Sequence, residues 1–224
     1  MQKRSHALLA GALMRREGGF SNRAYELAFL FGSIQPDLNP FSYLKGSLRG
    51  KKLGGHTYGN NDRYIARRAR RLRRREHWHI WHYYTMGKLT HYVADAFTWP
   101  HNPSFPGQGW DHHRYETALR TRLEETLSER SPALRPCRCT FPEALDRLHR
   151  YYLAETKSGG LDRDIRFILS ACELLMGSCR GRIHAPEPEF LPEFLPEGVF
   201  LPEPEFQPAY AAVPVPEPVR VRGR

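Results

Sequence analysis

Residues 87–116 read GKLTHYVADAFTWPHNPSFPGQGWDHHRYE, and this stretch does most to decide how the chain is interpreted. It contains two pairs of metal-compatible side chains with the members of each pair four residues apart: His91 with Asp95, and His112 with Glu116. Residues at i and i+4 lie on the same face of a helix, so each pair can direct two ligands at one point. The spacing therefore predicts two helices that each present a pair of ligands.

The segment between these two helices supplies a further candidate ligand. Trp99 and Pro100 are expected to close the first helix, because proline cannot continue a helix and restricts the residue before it. His101 then lies in the turn, from which it can face the same centre. Imidazole nitrogen and carboxylate oxygen are ligands of zinc. Any one of these residues alone is typical of a surface or core position, but their combined spacing favours a metal site.

Length and composition are those of a globular protein with one domain. The chain has 224 residues, of which 26% are charged and 40% hydrophobic. No apolar run approaches the roughly 18 residues that a membrane span needs. The apolar part of the N-terminal segment MQKRSHALLAGALMRRE is too short for a secretory signal. We therefore expect no transmembrane segment and a cytoplasmic location, in which the four cysteines remain free thiols.

Charge and proline are distributed unevenly along the chain. The net charge is +10, but residues 185–224 contain seven Glu and three Arg, so residues 1–184 carry a net charge of +14. The C-terminal segment also contains ten of the 18 prolines, in an approximate P-E-F-L-P repeat that prevents regular helix. We predict a folded domain over residues 1–184 and a disordered Pro/Glu-rich tail over residues 185–224. The basic body favours phosphate-rich partners.

Capping and glycine signals divide the N-terminal part of the chain. Ser5 is predicted to cap the first helix. A second helix is predicted over residues 22–31 and is expected to end at Gly32. Asp37 then lies in a proline-flanked loop, and His56 lies in an irregular, glycine-rich segment.

Helical signals continue through the rest of the folded part. A strongly basic helix is predicted to open at Asp62, and the helices of His91 and His112 follow it. Thr140 and Glu143 form a predicted capping box, and a last helix is predicted over residues 162–180. No alternating strand pattern is present, so the predicted fold class is all-α, a single domain of about seven helices.

The basic helix has its own functional interpretation. Residues 67–75 contain seven arginines, and only a thin apolar seam accompanies them. Such a run is typical of a solvated face, but it also suits contact with nucleic acid or with an anionic membrane surface. The sequence leaves these alternatives open.

The candidate ligands together form a recognisable order. Along the chain they are His6, Asp37, His56, His91, Asp95, His101, His112 and Glu116. Their order and spacing resemble those of the zinc-dependent phospholipase C family and of its distant relatives, the single-strand-specific nucleases. The phrases that carry the resemblance are SHALLA, GSIQPDLNP, GGH, GKLTHYVADAFTWPHN and HHRYE, within roughly residues 4–130. The specific parts are H-x3-D-x5-H and the later H-x3-E.

The resemblance implies an all-helical fold that holds three zinc ions in a cleft. It assigns one zinc ion to Asp37, His56, His91 and Asp95. It makes Asp95 a bridge to a second ion, which His6 also binds. It assigns the third ion to His101, His112 and Glu116.

One departure from the family pattern concerns the second ion. Family members begin with a tryptophan whose amino group and carbonyl complete the site shared with His6, whereas this sequence begins with Met1. The expectation is therefore two tightly bound zinc ions and a third that is bound weakly or not at all.

Three functions are compatible with these features. The leading one is phospholipase C-like hydrolysis of a phospholipid headgroup, a metal-dependent phosphodiesterase reaction in which Asp37 orients or deprotonates the attacking water. The second is a zinc-dependent nuclease acting on single-stranded nucleic acid. The third is a non-catalytic metal-binding scaffold. The oligomeric state is left open.

Overall fold

A computed structural model describes residues 1–39, 41, 56–107, 109–129, 140–155 and 159–184. These residues form seven α-helices, and no strand occurs among them: α1 (Lys3–Arg16), α2 (Arg23–Leu38), α3 (Tyr58–Arg74), α4 (Ile80–Ala96), α5 (Gly109–Glu129), α6 (Phe141–Glu155) and α7 (Leu161–Ile183). The chain divides into two compact units, and all of the described residues lie in the first, Met1–Pro188. The all-α prediction is confirmed.

Helix α4 is the centre of this unit, because it packs against α1, α2, α3 and α7. Its apolar residues Met86, Leu89 and Val93 are completely buried. The helix remains buried around most of its circumference near its C-terminal end, where His91 and Asp95 are fully inaccessible to solvent. The ligand pair therefore lies in the core, and other helices must close around it.

Helices α2 and α4 cross with direct backbone contact. A Cβ atom on Gly32 would overlap the backbone carbonyl oxygen of Tyr84, and one on Gly87 would overlap that of Phe29. Only glycine at both positions permits this approach, since any side chain would force the helices apart. The crossing places the C-terminal turn of α2 beside the ligand pair of α4.

This crossing explains the main error of the sequence interpretation. Gly32 does not end α2; the helix continues through Pro36 to Leu38, so Asp37 lies in its last turn and not in a loop. Glycine is unfavourable inside an isolated helix by roughly 1 kcal/mol, but here its absent side chain allows tertiary packing that outweighs the cost. Helix propensity does not predict the role of Gly32, because that role depends on its contact with Tyr84, 52 residues further along the chain.

Several helix boundaries also differ from the predicted ones. Ser5 is not the N-cap of α1, because the helix starts at Lys3 after Gln2 and buries Ser5 in its first turn. Helix α3 starts at Tyr58 and not at Asp62, so it follows His56 after a single residue. The capping box of α6 is borne out in one of its bonds, since the Thr140 backbone N–H donates to Glu143 Oε2 at 3.1 Å.

The cysteines fit the expectation of free thiols as far as the structure describes them. Cys172 and Cys179 are buried in α7 as free thiols, and burial raises the pKa of Cys179 to about 11. Cys137 and Cys139 lie outside the described residues, as does the predicted tail over residues 185–224.

The substitution Gly87→Ala tests the crossing of α2 and α4. The added methyl group must displace the backbone of α2, and such overpacking costs about 1–3 kcal/mol. We expect a lower melting temperature in thermal denaturation and reduced zinc content, because the displaced α2 carries Asp37.

Gly181→Ala is the matched control, since a Cβ at Gly181 meets no atom within 4 Å. Alanine should there stabilise α7 by roughly 0.5–1 kcal/mol, because it is the better helix former. Equal melting temperatures for the two variants would contradict the packing role of Gly87.

Candidate metal centre

The structure brings all eight predicted ligands to one place. Their donor atoms form four overlapping groups in which every ligand atom lies within 4.8 Å of the others: His6, His91 and Asp95; Asp37, His56 and His91; His56, Asp95 and His101; His101, His112 and Glu116. Helices α1, α2, α4 and α5 each contribute, together with His56 before α3 and His101 in the turn after α4. No predicted ligand is left outside the cluster.

The imidazole of His91 is oriented by the α2–α4 crossing. Its Nδ1–H donates to the backbone carbonyl of Ser33 at 2.8 Å. This bond fixes the tautomer, so Nε2 carries the lone pair. Nε2 faces the carboxylates, 3.2 Å from Asp95 Oδ2 and 3.7 Å from Asp37 Oδ1. A hydrogen bond from a ring nitrogen to a backbone carbonyl is the usual support of a metal-binding histidine.

The carboxylate of Asp95 lies at the centre of the cluster and is completely buried. Its Oδ2 is 2.7 Å from His56 Nδ1, and its Oδ1 is 3.2 Å from His6 Nε2. The two oxygens thus face different histidines. This is the geometry that a bridging carboxylate requires.

The third part of the cluster joins the turn after α4 to the start of α5. Glu116 Oε1 lies 3.1 Å from His101 Nε2 and 2.9 Å from His112 Nε2. His113, the neighbour of His112, is exposed and belongs to none of the ligand groups among the described residues.

A buried carboxylate on α7 holds this turn in position. Asp164 accepts the backbone N–H of Trp99 at 2.8 Å and the hydroxyl of Tyr115 at 2.8 Å, so it ties the turn of His101 to α5. Sequence reasoning missed Asp164, because an acidic residue in the first turn of a helix is commonplace.

The sequence interpretation also missed one nitrogen atom of the cluster, the amino group of Met1. The amino nitrogen of Met1 lies 2.6 Å from Asp95 Oδ1, 3.0 Å from Glu116 Oε1 and 3.2 Å from His101 Nε2. The sequence interpretation left this position without a donor. The start of α1 at Lys3 is what carries Met1 into the cluster, and only the fold reveals that placement.

Burial and neighbouring charges set the protonation states of the donors. Burial, reinforced by His91, lowers the pKa of His6 to about 3, and burial with the Met1 ammonium lowers that of His101. Both rings are therefore neutral near pH 7 and keep a free lone pair. Despite its burial, Asp95 has a pKa well below its usual range, because the Met1 ammonium and His101 favour its charged form. Burial raises the pKa of Asp37.

The protein groups satisfy one another only in part. Both ring nitrogens of His6 and Oδ2 of Asp37 are buried without a hydrogen-bond partner among the described residues. His6 Nε2 is within 3.2 Å of Asp95, but its orientation does not form a hydrogen bond. An unsatisfied buried polar atom costs about 1–3 kcal/mol. Three carboxylates also face a single ammonium group, so divalent cations fit both the donor set and its charge.

A family comparison agrees with this geometry. The family model described as zinc-dependent phospholipase C matches residues 5–162. The chain belongs to the zinc-dependent phospholipase C family. The matched span contains all eight predicted ligands. No curated protein and no solved structure matched the chain significantly.

A cleft among the described residues opens onto the cluster. A cleft of about 570 Å³ reaches Met1, Asp37, His101, His112 and Glu116. The other four predicted ligands do not line the cleft and are at most 4% exposed: His6, His56, His91 and Asp95. None of the described helices is both long and apolar enough to cross a membrane.

Proposed function

We propose that the chain is a zinc-dependent phosphodiesterase that hydrolyses a phospholipid headgroup, releasing diacylglycerol and a phosphorylated alcohol. One observation carries this proposal: eight imidazole and carboxylate donors converge at the base of a cleft with buried polar atoms that the protein itself leaves unsatisfied. Family membership supports the zinc dependence and the phospholipid substrate.

We assign two tightly held zinc ions. One takes Asp37, His56, His91 and Asp95, and the other takes His101, His112 and Glu116. The position between Asp95 Oδ1 and His6 is the candidate for a third ion, with the Met1 amino group as its nearest further donor. Burial lowers the pKa of this amino group, but Asp95 and Glu116 outweigh burial and raise it to about 10. A third ion must displace that proton, so its binding should be weaker and should strengthen as pH rises.

The chemistry follows from which donors the cleft exposes. Bound zinc would neutralise the phosphate oxygens and lower the pKa of a coordinated water. Asp37 is the candidate catalytic residue, because it lines the cleft and its Oδ2 lacks a hydrogen-bond partner among the described residues. Its role is to orient or deprotonate the water that attacks phosphorus, after which the bond to the glycerol oxygen breaks.

The predicted arginine helix offers a second contact with substrate. Arg63, Arg67, Arg70, Arg71 and Arg74 of α3 are exposed on the face opposite the buried Ile65, Ala69 and Leu72, and we call this set the α3 arginine stripe. Within the described part of the chain, none of them forms an ion pair with a carboxylate. We propose that the stripe contacts an anionic membrane surface. Hydrolysis of polynucleotides with a strong dependence on salt would instead favour the nuclease alternative.

The substitution Asp95→Asn tests the proposed function. The amide keeps the size of the side chain but removes the negative charge that two cations would share. We expect loss of nearly all activity on bis(p-nitrophenyl) phosphate, together with loss of zinc in elemental analysis. His112→Ala should also lose zinc and activity, because it removes a ligand next to Glu116.

His113→Ala is the matched control for His112→Ala, since both remove an imidazole from the first turns of α5. It should retain zinc and activity. If His113→Ala lost more zinc and activity than His112→Ala, the assignment of His112 and Glu116 as the ligand pair would be wrong. A wild-type protein that retains zinc but shows no phosphodiesterase activity would favour the scaffold alternative.

We also propose that residues 1–184 form the catalytic domain and that residues 185–224 are a dispensable tail. A chain that ends at His184 should keep its helical circular dichroism, zinc content and melting temperature within a few degrees. It should bind anionic vesicles more tightly at low salt, because removing a net charge of −4 makes the protein more basic. Unfolding or loss of zinc on truncation would contradict the proposed boundary.

A further inference from the structure

The entrance to the metal cleft is surrounded by positive charge. Lys3 and Arg4, in the first turn of α1, and Arg120, on α5, line the same cleft as Asp37 and Glu116. We call Lys3, Arg4 and Arg120 the cationic rim. The three cations belong to two different helices, so the fold and not a local run of sequence brings them together.

Among the residues that the structure describes, the cationic rim has no counter-ion. None of its members forms an ion pair with a carboxylate across the described ranges. Of the described residues that line this cleft, only Asp37 and Glu116 carry carboxylates, and both belong to the metal cluster. Lys3 and Arg4 also lie at the N-terminal end of a helix, where the macrodipole disfavours cations. Their positions are thus unfavourable for stability and remain free for an anionic ligand.

Arg120 is held in place by polar contacts that join the two helices. Its guanidinium donates to Gln2 Oε1 at 3.3 Å, and Gln2 Nε2 in turn donates to Thr117 Oγ1 at 2.8 Å. Gln2 lies next to Met1, whose amino nitrogen is within the metal cluster. The rim is therefore fixed relative to the place where the scissile phosphate would bind.

Positive charge continues outward from the rim. Arg4 and Arg120 also line an adjoining cleft of about 500 Å³, together with Arg15 and the single carboxylate of Glu124. A ligand that extends from the metal cluster along α1 and α5 meets four cations and one anion.

Groups that bind a cationic headgroup are missing from these surfaces. Quaternary ammonium groups are recognised by aromatic rings or by carboxylates. Among the described residues that line the two clefts, there is no Phe, Tyr or Trp, and the carboxylates apart from the metal ligands are limited to Glu124.

We propose that the cationic rim makes this enzyme selective for phospholipids of net negative charge, whose headgroup is an uncharged polyol or bears a further phosphate, over choline phospholipids. The inference rests on the proposed phospholipase activity and adds the substrate class. A choline headgroup would place its ammonium beside Lys3, Arg4 and Arg120 without compensation. An anionic phospholipid meets no such repulsion, and any further phosphate gains charge-assisted hydrogen bonds.

The test compares dihexanoyl phosphatidylglycerol, dihexanoyl phosphatidylinositol and dihexanoyl phosphatidylcholine as monomeric, water-soluble substrates. Monomeric lipids remove any contribution of surface binding through the α3 arginine stripe. We expect kcat/KM to be about tenfold or more higher for the two anionic lipids, because only the choline headgroup places a cation beside the cationic rim. The triple substitution Lys3→Gln, Arg4→Gln, Arg120→Gln should remove this preference and leave the value for phosphatidylcholine unchanged or higher.

The matched control is the double substitution Arg16→Gln, Arg147→Gln, which removes positive charge from exposed positions on α1 and α6 outside the two clefts and should leave the preference unchanged. Arg120→Lys keeps the positive charge and should therefore retain most of the preference for anionic lipids. Zinc content and circular dichroism show whether each variant is folded, and the single substitutions replace the triple one if it is not.

Different failures identify different errors. Equal hydrolysis of all three lipids, or faster hydrolysis of phosphatidylcholine, would overturn the selectivity and leave the proposed function intact. A triple variant that loses activity equally on every lipid would also overturn it. Hydrolysis of none of the lipids, or faster cleavage of a single-stranded oligonucleotide, would overturn the proposed function and this inference with it.

Discussion

The buried carboxylate of Asp95 is the constraint on which the rest of the structure depends. A charged group that is completely inaccessible to water must be compensated, and the protein surrounds it with His6, His56, His91 and the Met1 amino group. These groups come from α1, from the segment before α3, and from α4. The helices therefore assemble around one negative charge, and their imidazoles are placed to share it with metal ions.

Close approach of backbones makes this arrangement possible. Gly32 and Gly87 let α2 and α4 cross without intervening side chains. The crossing delivers the Ser33 carbonyl that orients His91, and it brings Asp37 in the next turn to within 4 Å of His56 and His91. Packing and chemistry are thus coupled, because the contact that stabilises the helix pair also positions the ligands. On the other side of the cluster, Asp164 performs a similar task for the turn that carries His101.

The sequence predicts those parts of the site that local periodicity encodes. His91 with Asp95 and His112 with Glu116 depend only on helical spacing, and both pairs lie on helices as expected. Gly32 was interpreted wrongly, because a glycine that ends a helix and one that permits a crossing have the same local signature. Met1 and Asp164 were missed because their roles come from contacts with residues about 50–115 positions away. Long-range packing of this kind leaves no periodic pattern in a single sequence.

Charged side chains outside the cluster also bear on function. The ligand carboxylates attract cations at the base of the cleft, whereas Lys3, Arg4 and Arg120 at its entrance attract anions. A phosphodiester with its metal ions satisfies both demands, since it is itself anionic and needs dications for hydrolysis. The α3 arginine stripe adds positive charge on another helix. Positive charge both at the cleft entrance and on α3 is consistent with a substrate that lies in an anionic surface.

Anomalous X-ray diffraction at the zinc absorption edge, from crystals of protein purified without chelator, tests the central claim most directly. The account predicts zinc peaks about 2.0–2.2 Å from His91 Nε2 and from His112 Nε2, with Asp95 and Glu116 as carboxylate ligands. It would be contradicted by the absence of an anomalous peak at the cluster, with Asp95 and Glu116 paired only to the Met1 amino group and to histidines.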